Sequence, residues 1–184
     1  MKGIVFTEFL GLVESHWGLD MVDDIIDACD LPSGGAYTAV GTYDHKEIVD
    51  LSLELSRRTE IPLPGLLRVF GVHLFGALAR GYPALVDRGT DVLSFLERVE
   101  NHIHVEVIKL YPDAELPRFK TLRLSENRLE MLYQSGRHFE DLCLGLIEGA
   151  AAHFGPKLQI DRETRADGEI CLLYTSDAAD EEDS

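Results

Sequence analysis

Arg118-Phe119-Lys120-Thr121-Leu122-Arg123-Leu124-Ser125-Glu126-Asn127-Arg128-Leu129-Glu130-Met131-Leu132-Tyr133-Gln134-Ser135-Gly136-Arg137 is where the hydrophobic period of this chain changes. Apolar and polar residues alternate from Arg118 to Leu124 and again from Arg128 to Ser135, with Ser125-Glu126-Asn127 between them. A two-residue period sends neighbouring side chains to opposite faces of a strand, so the stretch predicts a β-hairpin. Before it the spacing is helical. Phe6, Phe9, Leu10 and Val13 recur at three and four, as do Val22, Ile25 and Ile26 within 20–28. Leu31-Pro32-Ser33-Gly34-Gly35 is a break. Helices follow over 45–58 (Ile48, Leu51, Leu55) and 63–80 (Leu66, Leu67, Phe70, Leu74, Leu78), the second opened by Pro62 and Pro64 and closed by Tyr82-Pro83. Thr90-Asp91 is a cap for a long helix over roughly 92–110, stopped at Tyr111-Pro112-Asp113.

After the hairpin, 139–154 is helical (Leu142, Leu146, Ile147) and stops at Gly155-Pro156. Alternation returns over 157–163, and a turn at Ala166-Asp167-Gly168 leads toward a closing strand. Helices first, then an antiparallel four-stranded sheet with an inserted helix, define an α+β fold. The expected organisation is one domain over 1–170, with a helical subdomain over 1–90 and the long helix and sheet over 91–170.

The chain has 184 residues, 45% of them hydrophobic, enough for a real core. It carries 33 acidic against 17 basic residues, a net charge of −16, which argues against nucleic acid and against an anionic membrane surface. No signal peptide and no apolar run of the roughly 18 residues of a membrane helix are read from it. Cys29, Cys143 and Cys171 are far apart without a CxxC, which fits reduced thiols in the cytoplasm. Residues 171–181, Cys-Leu-Leu-Tyr-Thr-Ser-Asp-Ala-Ala-Asp-Glu, are similar to the translation of a transposase mosaic-end adapter used in sequencing libraries. The tail 171–184 is therefore expected to be non-native read-through, with the true closing strand missing; the alternative is a genuine acidic, frayed terminus. Without Asp177, Asp180, Glu181, Glu182 and Asp183 the net charge moves from −16 to −11, still acidic.

Two segments carry candidate chemistry. His104 lies in the long helix beside the stripe Leu93, Leu96, Ile103, Val107 and Leu110, with Glu100, Val107 and Ile108 at helical spacing. It offers an imidazole to an interior. His102 points about 200° away, so only one of the two faces a pocket. Tyr133, Ser135 and Arg137 form a polar comb. On a strand Tyr133 and Ser135 share a face, and Arg137 then opens the next helix, where free N–H groups favour an anion. Arg grips carboxylates by a planar fork, and Tyr and Ser add directional donors. A soft iron ligand plus a carboxylate clamp is the minimal kit for haem b. Taken alone, such a His more often packs or faces solvent, and such a comb more often ends a solvated hairpin. Glu100, His102, His104 and Glu106 could be drawn as a zinc or di-iron cluster, but a spacing of two scatters them around a helix. No GxGxxG, GxxxxGK[ST], GxSxG or HExxH is present.

From Met1 to about Ile170 the chain resembles the haem–nitric oxide/oxygen binding (H-NOX) family, bacterial relatives of the soluble guanylate cyclase sensor domain. The resemblance rests on Met1-Lys2-Gly3-Ile4-Val5, on Gly35-Ala36-Tyr37-Thr38, and on Asn101 through Val107 followed by Tyr111-Pro112-Asp113-Ala114-Glu115-Leu116-Pro117. Tyr-x-Ser-x-Arg at 133–137 and Gly145-Leu146-Ile147-Glu148-Gly149 complete it. It implies His104 as the proximal iron ligand and Tyr133, Ser135 and Arg137 as the propionate clamp. Pro117 matches the proline that bends the haem, and Val5, Phe9, Leu74, Leu142 and Leu146 match pocket-lining positions. Oxygen-binding members carry a tyrosine where Leu142 stands. Polar iron-bound oxygen needs a hydrogen-bond donor and nearly apolar bound NO does not, so the resemblance implies a nitric oxide sensor that also takes CO. It further implies no enzyme activity, no structural zinc on Cys143, and a partner such as a histidine kinase or a diguanylate cyclase or phosphodiesterase. The alternatives are an oxygen or redox sensor and a haem-free interaction domain. His73 is the rival donor.

Overall fold

The computed structural model describes residues 1–86, 91–155, 158–164 and 170–176. Thr90, Pro156, Lys157, the turn at Ala166-Asp167-Gly168 and the five tail acids lie outside them.

Helix α1 (Gly3–Trp17) buries Phe6, Phe9, Leu12 and Val13 and ends at Gly18, whose φ of 85° suits glycine. Short α2 (Leu19–Asp27) buries Val22 and Ile25. Asp44 caps α3 (His45–Thr59), accepting from the Lys46 N–H at 3.0 Å. Helix α4 (Leu63–Gly81) starts behind Pro62, with Pro64 in its first turn. It is long and apolar enough to cross a bilayer, with a mean hydropathy of 1.2. That differs from the reading of the sequence. Here it packs against α1, α3 and an eighth helix, burying Leu66, Leu67, Phe70, Leu74 and Phe75. The break expected at Tyr82-Pro83 holds a one-turn α5 (Pro83–Val86).

The expected helix over 92–110 is not continuous. Asp91 caps α6 (Val92–Glu97), accepting from the Ser94 N–H at 2.9 Å. A π-helical turn over Val99–Ile103 follows, then α7 (His104–Leu110). The Ile103 N–H reaches back five residues to the Arg98 carbonyl at 3.1 Å. A widened turn rotates everything after it, and π-turns concentrate at functional sites. The apolar stripe accordingly changes face: Leu93 and Leu96 are buried, while Leu110 is 56% exposed.

Strands β1 (Arg118–Ser125) and β2 (Arg128–Gln134) form the expected hairpin, with Phe119 opposite Tyr133 and a bulge between Arg123 and Ser125. Helix α8 (Glu140–Phe154) is inserted next and ends at Gly155, φ 95°. Strands β3 (Leu158–Thr164) and β4 (Ile170–Ser176) complete a four-stranded antiparallel sheet of order β1-β2-β4-β3. The closing strand read as missing is thus occupied, with Tyr133 paired to Ile170. The start of the tail supplies leucines, Tyr174 and Thr175, of which Tyr and Thr are enriched in strands.

Buried residues form two clusters. One joins α1–α4 with Phe139 and Leu142; the other joins the sheet and α6 with Phe75, Val86, Cys143 and Ile147. Helices α4 and α8 contribute to both.

Candidate functional site

Where the two clusters meet, a cavity of about 720 Å³ opens. Its wall is mostly apolar: Val5 from α1, Leu74 and Leu78 from α4, Leu142 and Leu146 from α8, with Pro117 and Phe119 at the start of the sheet. His104, Tyr133, Ser135 and Arg137 border the same space. The structure therefore brings together every candidate residue except Phe9. That side chain is 2% exposed and packs edge-on against Phe70, ring centroids 5.2 Å apart, one layer behind the wall. Helical spacing places Phe9 on the buried face of α1 but does not say how deep.

His104 begins α7, immediately after the π-turn. Its Nδ1 lies 3.3 Å from Glu100 Oε2, and the same carboxylate oxygen accepts the Phe119 N–H at 3.1 Å. The Phe119 ring lies 5.6 Å from the imidazole, centroid to centroid. Burial lowers the pKa of His104 below the usual histidine value, against the opposing pull of Glu100. The ring is thus neutral at pH 7, with the carboxylate favouring a proton on Nδ1. That leaves Nε2 as a lone-pair donor, the form a metal ligand needs. Glu100, His102, His104 and Glu106 do not converge, and no metal-ligand cluster of three residues occurs among the described residues.

Tyr133 is 4% exposed at the end of β2, and burial pushes its phenol up to about 12. It therefore remains an O–H donor. Ser135 Oγ accepts the Arg137 N–H at 3.2 Å. Arg137 does not open the next helix, which starts three residues later at Glu140; it sits in the turn before His138, whose φ is 54°. Arg137 Nη1 donates to the Glu115 carbonyl at 3.2 Å, and Nη2 pairs with the Glu115 carboxylate. That carboxylate is 79% exposed, so an entering carboxylate displaces a solvent-screened partner.

Sequence reasoning passed over three neighbours. Tyr82 and Tyr111 line the cavity and bond hydroxyl to hydroxyl at 2.7 Å. Their meeting joins the end of α4 to the end of α7, and no local spacing encodes it. Phe119 is legible in hindsight from the alternation that sends it inward with Tyr133. His73, the rival donor, does not line the cavity; its Nε2 lies 3.0 Å from Glu8 Oε2.

The fit to haem rests on these donors. A cavity this size with apolar walls would take a flat macrocycle, with His104 offering an imidazole nitrogen suited to its iron and Arg137, Ser135 and Tyr133 offering donors suited to its propionates.

Residues 2–162 match the family described as Haem-NO-binding. The chain is similar to the Fe(II) unliganded H-NOX protein from K. algicida, at 41% identity, 97% coverage of each chain and a TM-score of 0.92. It is 37% identical to the H-NOX from Shewanella woodyi, solved in the Fe(II)CO state with IWP-051 bound; coverage is 95% of this chain and 94% of that one, TM-score 0.83. It is 27% identical to an H-NOX protein from S. oneidensis in the Fe(II)NO state, covering 97% and 100%, TM-score 0.90. No curated protein matches.

Proposed function

Since this chain belongs to the haem-NO-binding (H-NOX) family, we propose that it is a cytoplasmic nitric oxide sensor that signals to a separate protein. The family's cofactor is haem. The observation that carries the reading is that His104 and the Tyr133-Ser135-Arg137 comb, far apart in sequence, border one apolar cavity. Haem, when bound, would supply an iron able to take a diatomic gas.

The residues do the rest. His104 presents a neutral imidazole from the start of α7. Arg137 exchanges Glu115 for a propionate, and Tyr133 and Ser135 donate beside it. Pro117 stands on the wall near the sheet, a rigid ring placed to press on the bound group. Val5, Leu74, Leu142 and Leu146 exclude water and offer no hydrogen bond. Tyr82 and Tyr111, on the same wall, bond hydroxyl to hydroxyl. A gas bound beside these aliphatic side chains gains no hydrogen bond from them, which favours NO and CO over oxygen. His104 would join the start of α7 to the bound group, and beyond α7 Tyr111 and Asp113 link the chain to the end of α4, to Lys2 and to Thr42, so a change at His104 would displace α7 against them. That displacement is the two-state element a partner such as a histidine kinase or a cyclic-dinucleotide enzyme reads.

Absorption spectroscopy tests this. The ferrous protein binds NO and CO and forms no stable oxygen complex in air. Leu142→Tyr introduces a donor and makes an oxygen complex detectable. A stable oxygen spectrum in the unmodified protein withdraws the nitric oxide assignment and leaves the haem assignment standing.

A further inference from the structure

We propose that Glu100 is the positioning residue of the iron ligand, orienting His104 and tying it to strand β1. The inference rests on the haem reading above. Glu100 Oε2 meets two donors from different elements, His104 Nδ1 at 3.3 Å and the Phe119 backbone N–H at 3.1 Å. Glu100 lies within the π-turn, which ends immediately before His104, and Phe119 pairs with Tyr133 on the neighbouring strand. One carboxylate oxygen thus connects the imidazole, the widened turn and the strand that leads to the propionate clamp. With side chains 31% and 17% exposed, Glu100 and His104 are partly shielded from water, which strengthens the contact over a surface pair.

The chemistry follows from the donor set. A carboxylate on Nδ1–H holds the proton there, fixes the ring plane and raises the electron density at Nε2. Such an outer partner would strengthen the bond that His104 offers to iron. Glu100 therefore governs the threshold of the response. Its link to Phe119 gives a released imidazole a fixed place to stay, against β1.

The test uses the haem-loaded full chain and four measurements. Resonance Raman of the unliganded ferrous protein reads the iron–histidine stretch. In Glu100→Gln, whose amide oxygen accepts without charge, that band moves to lower frequency. Absorption of the ferrous NO complex reads the share that keeps its histidine, and that share falls in Glu100→Gln. Haem loss in Glu100→Ala is on the order of tenfold faster, the size of an outer-partner deletion. NMR of the ferrous CO form supplies the fourth: the His104 Nδ1 proton is protected in the unmodified protein and exchanges freely in Glu100→Ala. A merely structural Glu100 leaves Glu100→Gln matching the unmodified protein in stretch and NO complex, and that result overturns the proposal. Absence of any iron–histidine band in the unmodified protein fails the haem reading itself and the proposal with it; the two failures are told apart by which protein shows them.

Discussion

His104 and His102 stand two positions apart and meet different surroundings. His104 borders the cavity with its side chain 17% exposed, and His102 does not belong to the wall. Replacing His104 by Gly is expected to permit haem uptake only when free imidazole is supplied, while His102→Ala retains haem without it. Equal loss in both, seen in the absorption spectrum, contradicts the placement. Arg137 makes the second residue-scale case. Its present carboxylate partner is exposed, so its charge remains available to a propionate. Arg137→Ala should weaken haem retention by about 1.5–3 kcal/mol, the scale of a hydrogen bond to a charged group. Transfer of haem to an apo-globin acceptor measures it, and an unchanged rate rules out the clamp. These candidates were legible because His, Tyr, Ser and Arg carry their chemistry wherever they sit. Glu100 was visible as a helical neighbour of His104 and as a member of a metal cluster set aside on spacing, not as its hydrogen-bond partner. Its second partner is a backbone N–H nineteen residues away, a contact created by folding.

Elements were legible where the signal is local. Asp91 before Val92, Pro62 before α4, Gly155 after α8 and the alternation around Ser125-Glu126-Asn127 all act within a few residues. The π-turn was not, since it answers to the packing of Leu93 and Leu96 on one side of it and of His104 on the other. Nor was the closeness of α4 and α8. A methyl added at Gly145 would collide with the Arg68 carbonyl oxygen, and one at Gly71 would lie 2.7 Å from the Gly145 backbone. The two helices touch backbone to backbone, and the cavity's upper wall depends on that approach. Gly145→Ala should destabilise the fold by about 1–3 kcal/mol through overpacking. Gly11, on the exposed face of α1 with nothing within 4 Å, is the control: Gly11→Ala should stabilise by about 0.4–1 kcal/mol. Urea unfolding of both variants checks the contrast, and similar midpoints for the two would contradict it.

At the scale of the molecule, two apolar clusters share α4 and α8 and face each other across the cavity. Direct ties between them on that side are few and polar among the described residues. Lys2 Nζ reaches Asp113 at 3.2 Å, Thr42 Oγ1 donates to Asp113 at 2.6 Å, and the Tyr82 and Tyr111 hydroxyls meet. An exposed ion pair such as Lys2–Asp113 contributes little, and a neutral hydrogen bond adds only about 1 kcal/mol. The bound macrocycle therefore belongs to the core as much as to the response. With free haem at a thousandfold above its dissociation constant, stability rises by about 4 kcal/mol, and the melting midpoint of the loaded protein should exceed that of the haem-depleted one by roughly 10 °C. Calorimetry of both forms decides it; coincident midpoints would show that the two clusters cohere unaided. Because Leu74 and Phe75, adjacent in one helix, belong to opposite halves of the interior, the cofactor acts as a keystone. In a cell short of iron, newly made copies would then open more often along this seam. Proteases would remove them, so the number of sensors would follow the supply of haem before any gas arrives.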